Sequence, residues 1–401
     1  MKLNPDMLDA MRKAASLLQN ARPHDATRKI VRVLQRVLPG ATTATSTAVQ
    51  PPPMKDINPL PPGLSRNPAA QEAAPHVPSA ARQPAGVPDF AADLLNRFGT
   101  PGVARAPDVG ASQAPAYSGV PAGQFLSGSI TNAAGTRQYK LYVPQAYQGQ
   151  KLPLVVMLHG CTQNPDDFAA GTEMNQQAEL TSCLVLYPAQ SRGANSAKCW
   201  NWFNAIDQQR ERGEPSILAD MTREIIATYA IEPSQVYVAG LSAGGAMAAI
   251  LGHAYPELYA AVGIHSGLPY AAANDLSSAL QAMRAGASAA RSAPLVGASR
   301  PIIVFHGDRD HTVHPRNGEQ LIAQHVSADA LVSVEQGSIA GGHKFTRTLH
   351  RNRAGAAVAE QWLIHGAGHA WSGGSSNGSY TDRHGPHATR EMMRFFATRR
   401  D

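Results

Sequence analysis

A glycine-flanked serine is the first feature of this 401-residue chain that could do chemistry. Ser242 is the centre of the motif GLSAG over residues 240–244, between the apolar run VYVA and the small-residue run GGAMAAILGHA. Glycines around a serine allow a sharp bend from a strand into a helix, which exposes the hydroxyl at its tip. The alternative is an ordinary turn that caps the following helix. We predict that Ser242 is a nucleophile for acyl transfer.

A serine nucleophile needs a base, and an acid that orients the base. Two acids, Asp308 and Asp310, lie in HGDRDHTV after the apolar run PIIVF, and His369 lies in the glycine loop GAGHAWSGG. We prefer Asp310, because α/β hydrolases often carry the acid in an H-G-x-x-D-x-x-V arrangement, and keep Asp308 as the alternative. His369 is the predicted base. Its alternative is His365, at the end of the preceding strand.

A tetrahedral intermediate also needs two backbone N–H donors. The residue after the nucleophile, Ala243, supplies one, and the loop HGCTQ after LPLVVML supplies the other from the N–H of Cys161. The 15 histidines raise the alternative of a metal site. His365 and His369 are four residues apart, but the two glycines between them disfavour a ligand-bearing helix. We predict no metal and no cofactor.

The elements that must position these residues alternate between strands and helices from Phe125 onward. This pattern predicts a mostly parallel sheet with helices on both faces, an α/β-hydrolase fold over residues 124–401. An Ala- and Ser-rich insertion over residues 269–300 is a candidate lid. The predicted strands are 138–143, 154–158, 184–187, 236–239, 261–264, 302–305 and 358–364, and the predicted helices include 166–180, 216–229, 243–255 and 388–398.

The preceding part of the chain has a different composition. Residues 1–40 predict a basic helical arm, in which Ile30, Val33 and Leu34 lie on one stripe and Arg32 largely opposite. Such a helix attaches to an anionic or apolar surface, or docks on its own catalytic domain. Residues 41–123 are rich in proline and alanine and predict a flexible linker.

Charge and hydropathy exclude several classes of protein. A net charge of +6, much of it in the first 40 residues, is too small to indicate nucleic-acid binding. No run approaches the roughly 18 apolar residues of a transmembrane helix. The first 30 residues lack the apolar core of a secretory signal, so we expect a cytoplasmic protein. The three cysteines are too few for a disulfide scaffold.

Taken together, these motifs resemble the poly(3-hydroxybutyrate) depolymerase family of esterases, which also contains feruloyl and acetylxylan esterases. The resemblance covers roughly residues 125–401. Its elements, in chain order, are LPLVVMLHGCTQNPDDF, LVLYPAQ, KCWNWF, VYVAGLSAGGAMA, HGDRDHTV and GAGHAWSGG. The resemblance implies a serine esterase for short-chain hydroxyalkanoate polymers or oligomers, with Ser242, Asp310 and His369 as the triad and Cys161 at the oxyanion position.

The resemblance carries further expectations. Trp200, Trp202 and Trp371 would line the mouth of the active site, or else fill the core. In secreted relatives the first cysteine can form a disulfide, which here would join Cys161 to Cys199, whereas in a reducing cytoplasm both thiols would be free.

Three alternatives about function and location stay open. A feruloyl or acetylxylan type of esterase is the alternative activity. A granule-docking protein with an incidental hydrolase domain is the alternative class, because the basic arm could bind a polyhydroxyalkanoate granule. An extracellular location, as for secreted members of the family, is the alternative compartment.

Overall fold

The computed structural model describes residues 123–288, residue 295 and residues 300–398. The predicted arm over residues 1–40 lies outside this part of the chain, and so does the predicted linker over residues 41–123 apart from Gly123. Within the described residues, no helix is both long and apolar enough to cross a membrane.

In the described part of the chain, ten strands form one sheet, and two short strands pair with each other outside it. The strands are β1 (Gln124–Asn132), β2 (Gly135–Val143), β3 (Leu152–Leu158), β4 (Leu184–Ala189), β5 (Ile231–Leu241), β6 (Ala261–His265), β7 (Ile302–Gly307), β8 (Leu331–Ser338), β9 (Lys344–Arg351), β10 (Ala357–His365), β11 (Trp371–Ser372) and β12 (Thr381–Asp382). In the large sheet the order is β1-β2-β4-β3-β5-β6-β7-β10-β9-β8. The six consecutive strands β4, β3, β5, β6, β7 and β10 run parallel to one another.

Helices cover both faces of this sheet. The helices are α1 (Pro165–Thr172), α2 (Met174–Thr181), α3 (Gly213–Thr228), α4 (Ala243–Ala254), α5 (Leu276–Ala285), α6 (Arg316–His325) and α7 (Ala388–Ala397), with a 3₁₀ turn at Ala205–Gln208. One face packs against α3 to α6, and the other packs against α1, α2 and α7.

Strand β3 shows why the central strands are apolar throughout. All seven of its residues are buried. Leu154 and Val156 pack into the core on one face, whereas Val155 and Met157 pack into the core on the other. Because successive side chains of a strand point to opposite faces, a strand covered by helices on both sides needs apolar residues at every position. The predicted fold is therefore confirmed.

The structure corrects the predicted elements in three places. The single helix predicted over residues 166–180 is two helices, separated at Glu173, whose φ of 56° is left-handed. The hairpin of β8 and β9 extends the sheet beyond β10 and was not predicted, and neither was β1. Helix α5 lies within the insertion 269–300, for which no helix was predicted.

Candidate active site

Ser242 lies in a strained turn between β5 and α4. Its φ of 56° and ψ of −119° are rarely adopted by a residue with a side chain. Glycine is required on both sides: a Cβ on Gly240 would overlap the backbone of Gly244, and a Cβ on Gly244 would overlap the carbonyl of Leu158. The Ser242 N–H donates to the carbonyl of His265 over 2.9 Å. This turn directs the serine side chain away from the regular ladder of the sheet.

Asp310 and His369 meet beyond the ends of the neighbouring strands β7 and β10. His369 Nδ1 lies 2.7 Å from Asp310 Oδ2, and the carboxyl group is fully buried. The other oxygen, Oδ1, accepts from the backbone N–H groups of Thr312 and Val313 at 2.9 and 2.8 Å. Because a carboxylate only accepts, Nδ1 of His369 carries the proton and Nε2 is left available.

The environment of Asp310 keeps it ionised. Burial alone would raise its pKa, but the interactions with the neighbouring His369 and His306 outweigh burial. The pKa of Asp310 therefore lies well below its ordinary value. His306 Nε2 donates to the carbonyl of Val313 over 2.8 Å and lies 3.4 Å from Asp310 Oδ2. Sequence reasoning gave His306 no such role, although it directly precedes the glycine of the HGDRD motif.

The two alternatives, Asp308 and His365, pair with each other. Asp308 Oδ2 lies 2.9 Å from His365 Nδ1, and Asp308 Oδ1 accepts from the Gly366 N–H over 2.7 Å. Their side chains are 35% and 36% exposed. The structure thus brings the preferred acid next to the preferred base, and places the alternatives in a separate surface pair.

Ser242 and His369 line one small pocket. Its other walls are Gly160, Cys161, Gln163, Leu241 and Tyr380. The Cys161 loop follows β3 and is held by hydrogen bonds from Gly160 N–H to Gln163 Oε1 and from Thr162 N–H to the Ala197 carbonyl. Cys161 is joined to Cys199 by a disulfide. The predicted oxyanion donors, Cys161 and Ala243, both lie around Ser242.

A narrow apolar cavity of about 30 Å³ continues from Ser242. Helix α5 supplies one wall of it, so part of the predicted lid region does border the site. The side chains and backbone around it are those of Cys161, Cys199, Trp202, Phe203, Ser242, Ala243, Leu268, Leu276, Ala279, Leu280, Met283 and Val313.

Only one of the three tryptophans borders this cavity. Trp202 does, but Trp200 and Trp371 are fully buried. Trp200 Nε1 donates to the His159 carbonyl, and Trp371 Nε1 donates to Thr389 Oγ1. The expectation that all three line the mouth is corrected: two of them fill the core, since their indole N–H groups find buried acceptors there.

A buried histidine behind the site was missed from the sequence. His265, at the end of β6, accepts the Ser372 N–H at Nε2 over 3.0 Å and lies between the rings of Phe305 and Trp371. Burial, chiefly, lowers the pKa of His265 to about 3. A neutral histidine here ties β6 to the loop that carries His369. Its only sequence signal was a position at a strand end.

The sheet order, the strained serine between a strand and a helix, and the acid and histidine beyond later strands define a protein of the α/β-hydrolase fold. A solved acetyl xylan esterase from Aspergillus awamori has this fold, with a TM-score of 0.52 at 17% identity over 68% of this chain and 99% of that one. The family model "Esterase PHB depolymerase" matches residues 137–346. The chain belongs to that family.

Two bacterial relatives match at about the same level. The chain is 32% identical over 249 residues to poly(3-hydroxyalkanoate) depolymerase C of Paucimonas lemoignei, which is 60% of this chain and 59% of that protein. It is 30% identical over 252 residues to poly(3-hydroxybutyrate) depolymerase of Ralstonia pickettii, 58% and 51% of the two chains. The matched region thus spans between half and three fifths of each relative.

Fungal relatives match a shorter region. A probable acetylxylan esterase A of Aspergillus fumigatus is 29% identical over 203 residues, which is 47% of this chain and 53% of that protein. The family resemblance that the motifs indicated is confirmed.

Proposed function

We propose that this chain is a serine carboxylic-ester hydrolase that acts through an acyl-enzyme at Ser242. One observation carries the proposal: Ser242 shares a pocket with His369, and His369 is bonded through Nδ1 to a buried, ionised Asp310. A nucleophile, a base and an acid that orients the base are the three groups that acyl transfer needs.

The first half of the reaction forms the acyl-enzyme. Ser242 Oγ attacks the ester carbonyl carbon while His369 Nε2 takes the hydroxyl proton. The electron pair of the C=O bond moves to oxygen, where the N–H groups of Cys161 and Ala243 stabilise the negative charge. The C–O bond to the alcohol then breaks, and His369 returns the proton to the leaving oxygen.

Water completes the second half by the same route. His369 removes a proton from the water, the hydroxide oxygen attacks the acyl carbon, and the bond to Ser242 Oγ breaks with return of the proton to the serine. Asp310 holds the ring in one tautomer throughout, and its charge stabilises the imidazolium that forms in each half.

The proposed substrates are short-chain poly(3-hydroxyalkanoates) or their oligomers. The names of the two bacterial relatives support this class. The cavity beside Ser242 supports it independently, because its walls are nearly all apolar and its narrow shape suits short aliphatic groups. An acetylated or feruloylated carbohydrate is the second candidate, supported by the fungal relatives.

The compartment and the partner surface are also proposals. The disulfide between Cys161 and Cys199 supports an oxidising compartment over the cytoplasm, because cytosolic thiols are kept reduced. Mass spectrometry after alkylation, with and without reductant, of protein isolated from its native cell tests this. One alkylated cysteine without reductant and three with it support the disulfide; three in both samples contradict it.

A polymer granule is the surface proposed for the basic arm. Reversing the charges of Arg28, Lys29, Arg32 and Arg36 in the full chain should reduce co-sedimentation with poly(3-hydroxybutyrate) granules and leave hydrolysis of soluble esters unchanged. Unchanged sedimentation would exclude the arm as the attachment. If the variant no longer binds granules and the wild type does not hydrolyse the polymer, the docking alternative is favoured.

The deciding experiment compares wild type, Ser242→Ala and Ser234→Ala on p-nitrophenyl butyrate and on amorphous poly(3-hydroxybutyrate). Ser234 is exposed and belongs to the start of β5, so it serves as the matched control. We expect Ser242→Ala to lose both activities and Ser234→Ala to keep both. Activity on the small ester alone would leave the polymer proposal unsupported, and full activity in Ser242→Ala would refute the nucleophile.

A further inference from the structure

A buried carboxylate that takes no part in the proposed chemistry lies behind the oxyanion loop. Glu214, near the start of α3, has only 4% of its side chain exposed. Its Oε1 accepts from Arg137 Nη2 at 3.0 Å, from Asn201 Nδ2 at 2.9 Å and from Gln190 Nε2. Its Oε2 accepts from the Asn201 backbone N–H at 2.7 Å. Among the described residues, the four groups hydrogen-bonded to this carboxylate are all donors.

Asn201 belongs to the segment that carries the second cysteine, and Gln190 is hydrogen-bonded to that segment. Residues 195–201 contain no helix or strand, so side chains must satisfy their backbone groups. Gln190 Nε2 also donates to the Cys199 carbonyl at 2.9 Å, and the Cys199 N–H donates to Asn195 Oδ1 at 3.3 Å. Glu214 thus holds Asn201 directly and Cys199 through Gln190.

The same segment holds the loop that supplies the Cys161 N–H. Cys199 is bonded to Cys161, and the Ala197 carbonyl accepts the Thr162 N–H at 2.7 Å. Trp200 Nε1 donates to the His159 carbonyl at 3.1 Å, where that loop begins. Three consecutive contacts, from Glu214 to Gln190, from Gln190 to Cys199 and from Cys199 to Cys161, therefore connect the Glu214 carboxylate to the loop beside Ser242.

A second connection runs through His159. The Gln190 backbone N–H donates to His159 Nε2 at 3.1 Å, so Nδ1 carries the proton and donates to the Gly160 carbonyl at 2.7 Å. Burial lowers the pKa of His159 to about 4, which keeps this ring neutral and its tautomer fixed. The residue that Glu214 holds, Gln190, thus also orients the peptide that precedes Cys161.

We propose that Glu214 is a positioning residue for the oxyanion site: its buried carboxylate aligns the Cys161 N–H with the developing negative charge, by fixing residues 199–201 and Gln190. This inference rests on the proposed function. An N–H donor stabilises a transition state only when it is held at hydrogen-bond distance from the oxyanion, so loosening its support lowers kcat more than it changes substrate binding.

The test is Glu214→Gln in the full chain. A glutamine has nearly the same shape but offers one oxygen and one NH₂ group, which must then oppose one of the four donors. We expect kcat for p-nitrophenyl butyrate to fall about 10-fold, less than the 10²- to 10³-fold typical of removing an oxyanion donor. KM should change by less than about threefold, and the inhibition constant of butylboronic acid, which forms a tetrahedral adduct with an active-site serine, should rise with the loss in kcat.

Glu179→Gln is the matched control. Glu179 on α2 also accepts several hydrogen bonds, from Tyr142 Oη and from the N–H groups of Gly123 and Gln145, but it contacts none of the residues around Ser242. Both variants should lower the melting temperature, whereas only Glu214→Gln should lower kcat. If Glu214→Gln fails to fold, Gln190→Met tests the same connection and should lower kcat in the same direction.

The outcomes separate the two proposals. A lower melting temperature with wild-type kcat and boronate affinity in Glu214→Gln, while Ser242→Ala is inactive, would overturn the positioning role and leave the serine mechanism intact. Full activity in Ser242→Ala would overturn the serine mechanism and the positioning role with it. Equal losses of kcat in Glu214→Gln and Glu179→Gln would also overturn it, since the effect would then be general.

Discussion

Two aspartate–histidine pairs lie at the ends of the same two strands, and they differ in what surrounds them. Asp310 is buried and His369 is mostly buried, with side chains 0% and 11% exposed, and His369 borders the pocket of Ser242. Asp308 and His365 are about one third exposed. The distances within the pairs are similar, 2.7 and 2.9 Å. Residue type and contact distance alone therefore do not distinguish the pair proposed for catalysis from the surface pair.

The two pairs differ in burial because their residues lie at different distances along the chain from the ends of β7 and β10. β7 and β10 are neighbours, with Gly307 opposite Ile364, so the next residues, Asp308 and His365, meet as direct continuations of the sheet. Asp310 and His369 lie a few residues further on, in loops that return toward β5. Burial there removes water and strengthens the charge interaction between the carboxylate and the ring.

The largest effect should come from removing the base. We expect His369→Ala to lower kcat/KM for p-nitrophenyl butyrate about 10⁴-fold, because proton transfer from Ser242 is lost. His365→Ala should keep kcat/KM within about threefold. Steady-state kinetics of both variants checks this, and a comparable loss in His365→Ala would mean that the surface pair also serves catalysis.

Substitution of the proposed acid, compared with Asp308, should show the same contrast, with a somewhat smaller loss of activity. Asp310→Asn keeps the shape of the side chain but removes the charge, so the ring of His369 loses its orienting acceptor. We expect kcat to fall about 10³- to 10⁴-fold. Asp308→Asn is the control, with kcat within about twofold of wild type. Equal kcat values for the two variants at neutral pH would contradict the assignment of the acid.

Burial also predicts how stability depends on pH. Burial, as the largest cause, lowers the pKa of His159, His265 and His325 to about 4, 3 and 4. Between these values and the ordinary 6.5, the unfolded chain binds more protons than the folded one, so the free energy of unfolding falls as pH decreases through this window. Each group contributes up to about 1.4 kcal/mol per pH unit.

Urea unfolding at pH 7, 6 and 5 measures this slope. His325→Gln should flatten it, because one of the three groups with a lowered pKa is removed. A slope in His325→Gln equal to that of wild type would contradict the prediction. Loss of stability only below pH 4 would instead assign the effect to carboxylates such as Asp310, whose lowered pKa predicts loss at lower pH.

The smallest effect should come from the exposed pair. Asp308→Asn removes a partly solvated ion pair with His365, and such pairs contribute less than about 1 kcal/mol. We expect the free energy of unfolding to fall by no more than that, as measured by urea unfolding at pH 6. A loss of several kcal/mol would show that the hydrogen bond from Gly366 N–H to Asp308 is essential to the loop.

Much of the fold followed from local pattern. The central strands were predictable because burial on both faces leaves apolar runs such as LPLVVML, and the turn at Ser242 was predictable from its glycines. The hairpin of β8 and β9 was missed because it lies at the sheet edge: all but one of the residues of β8 are exposed, so no hydrophobic pattern marks it. The break at Glu173 was missed because the residue with the left-handed φ is a glutamate and not a glycine.

The sequence by itself determined the strand-to-helix turn at Ser242, the order of serine, acid and histidine, and the family, because these depend on local geometry and on motif order. Only the tertiary structure decided which acid meets which histidine, which tryptophans are buried, and that Glu214 supports the Cys161 loop. Those outcomes depend on contacts between residues far apart in the chain, and on burial, which sets the strength of each charge and hydrogen bond.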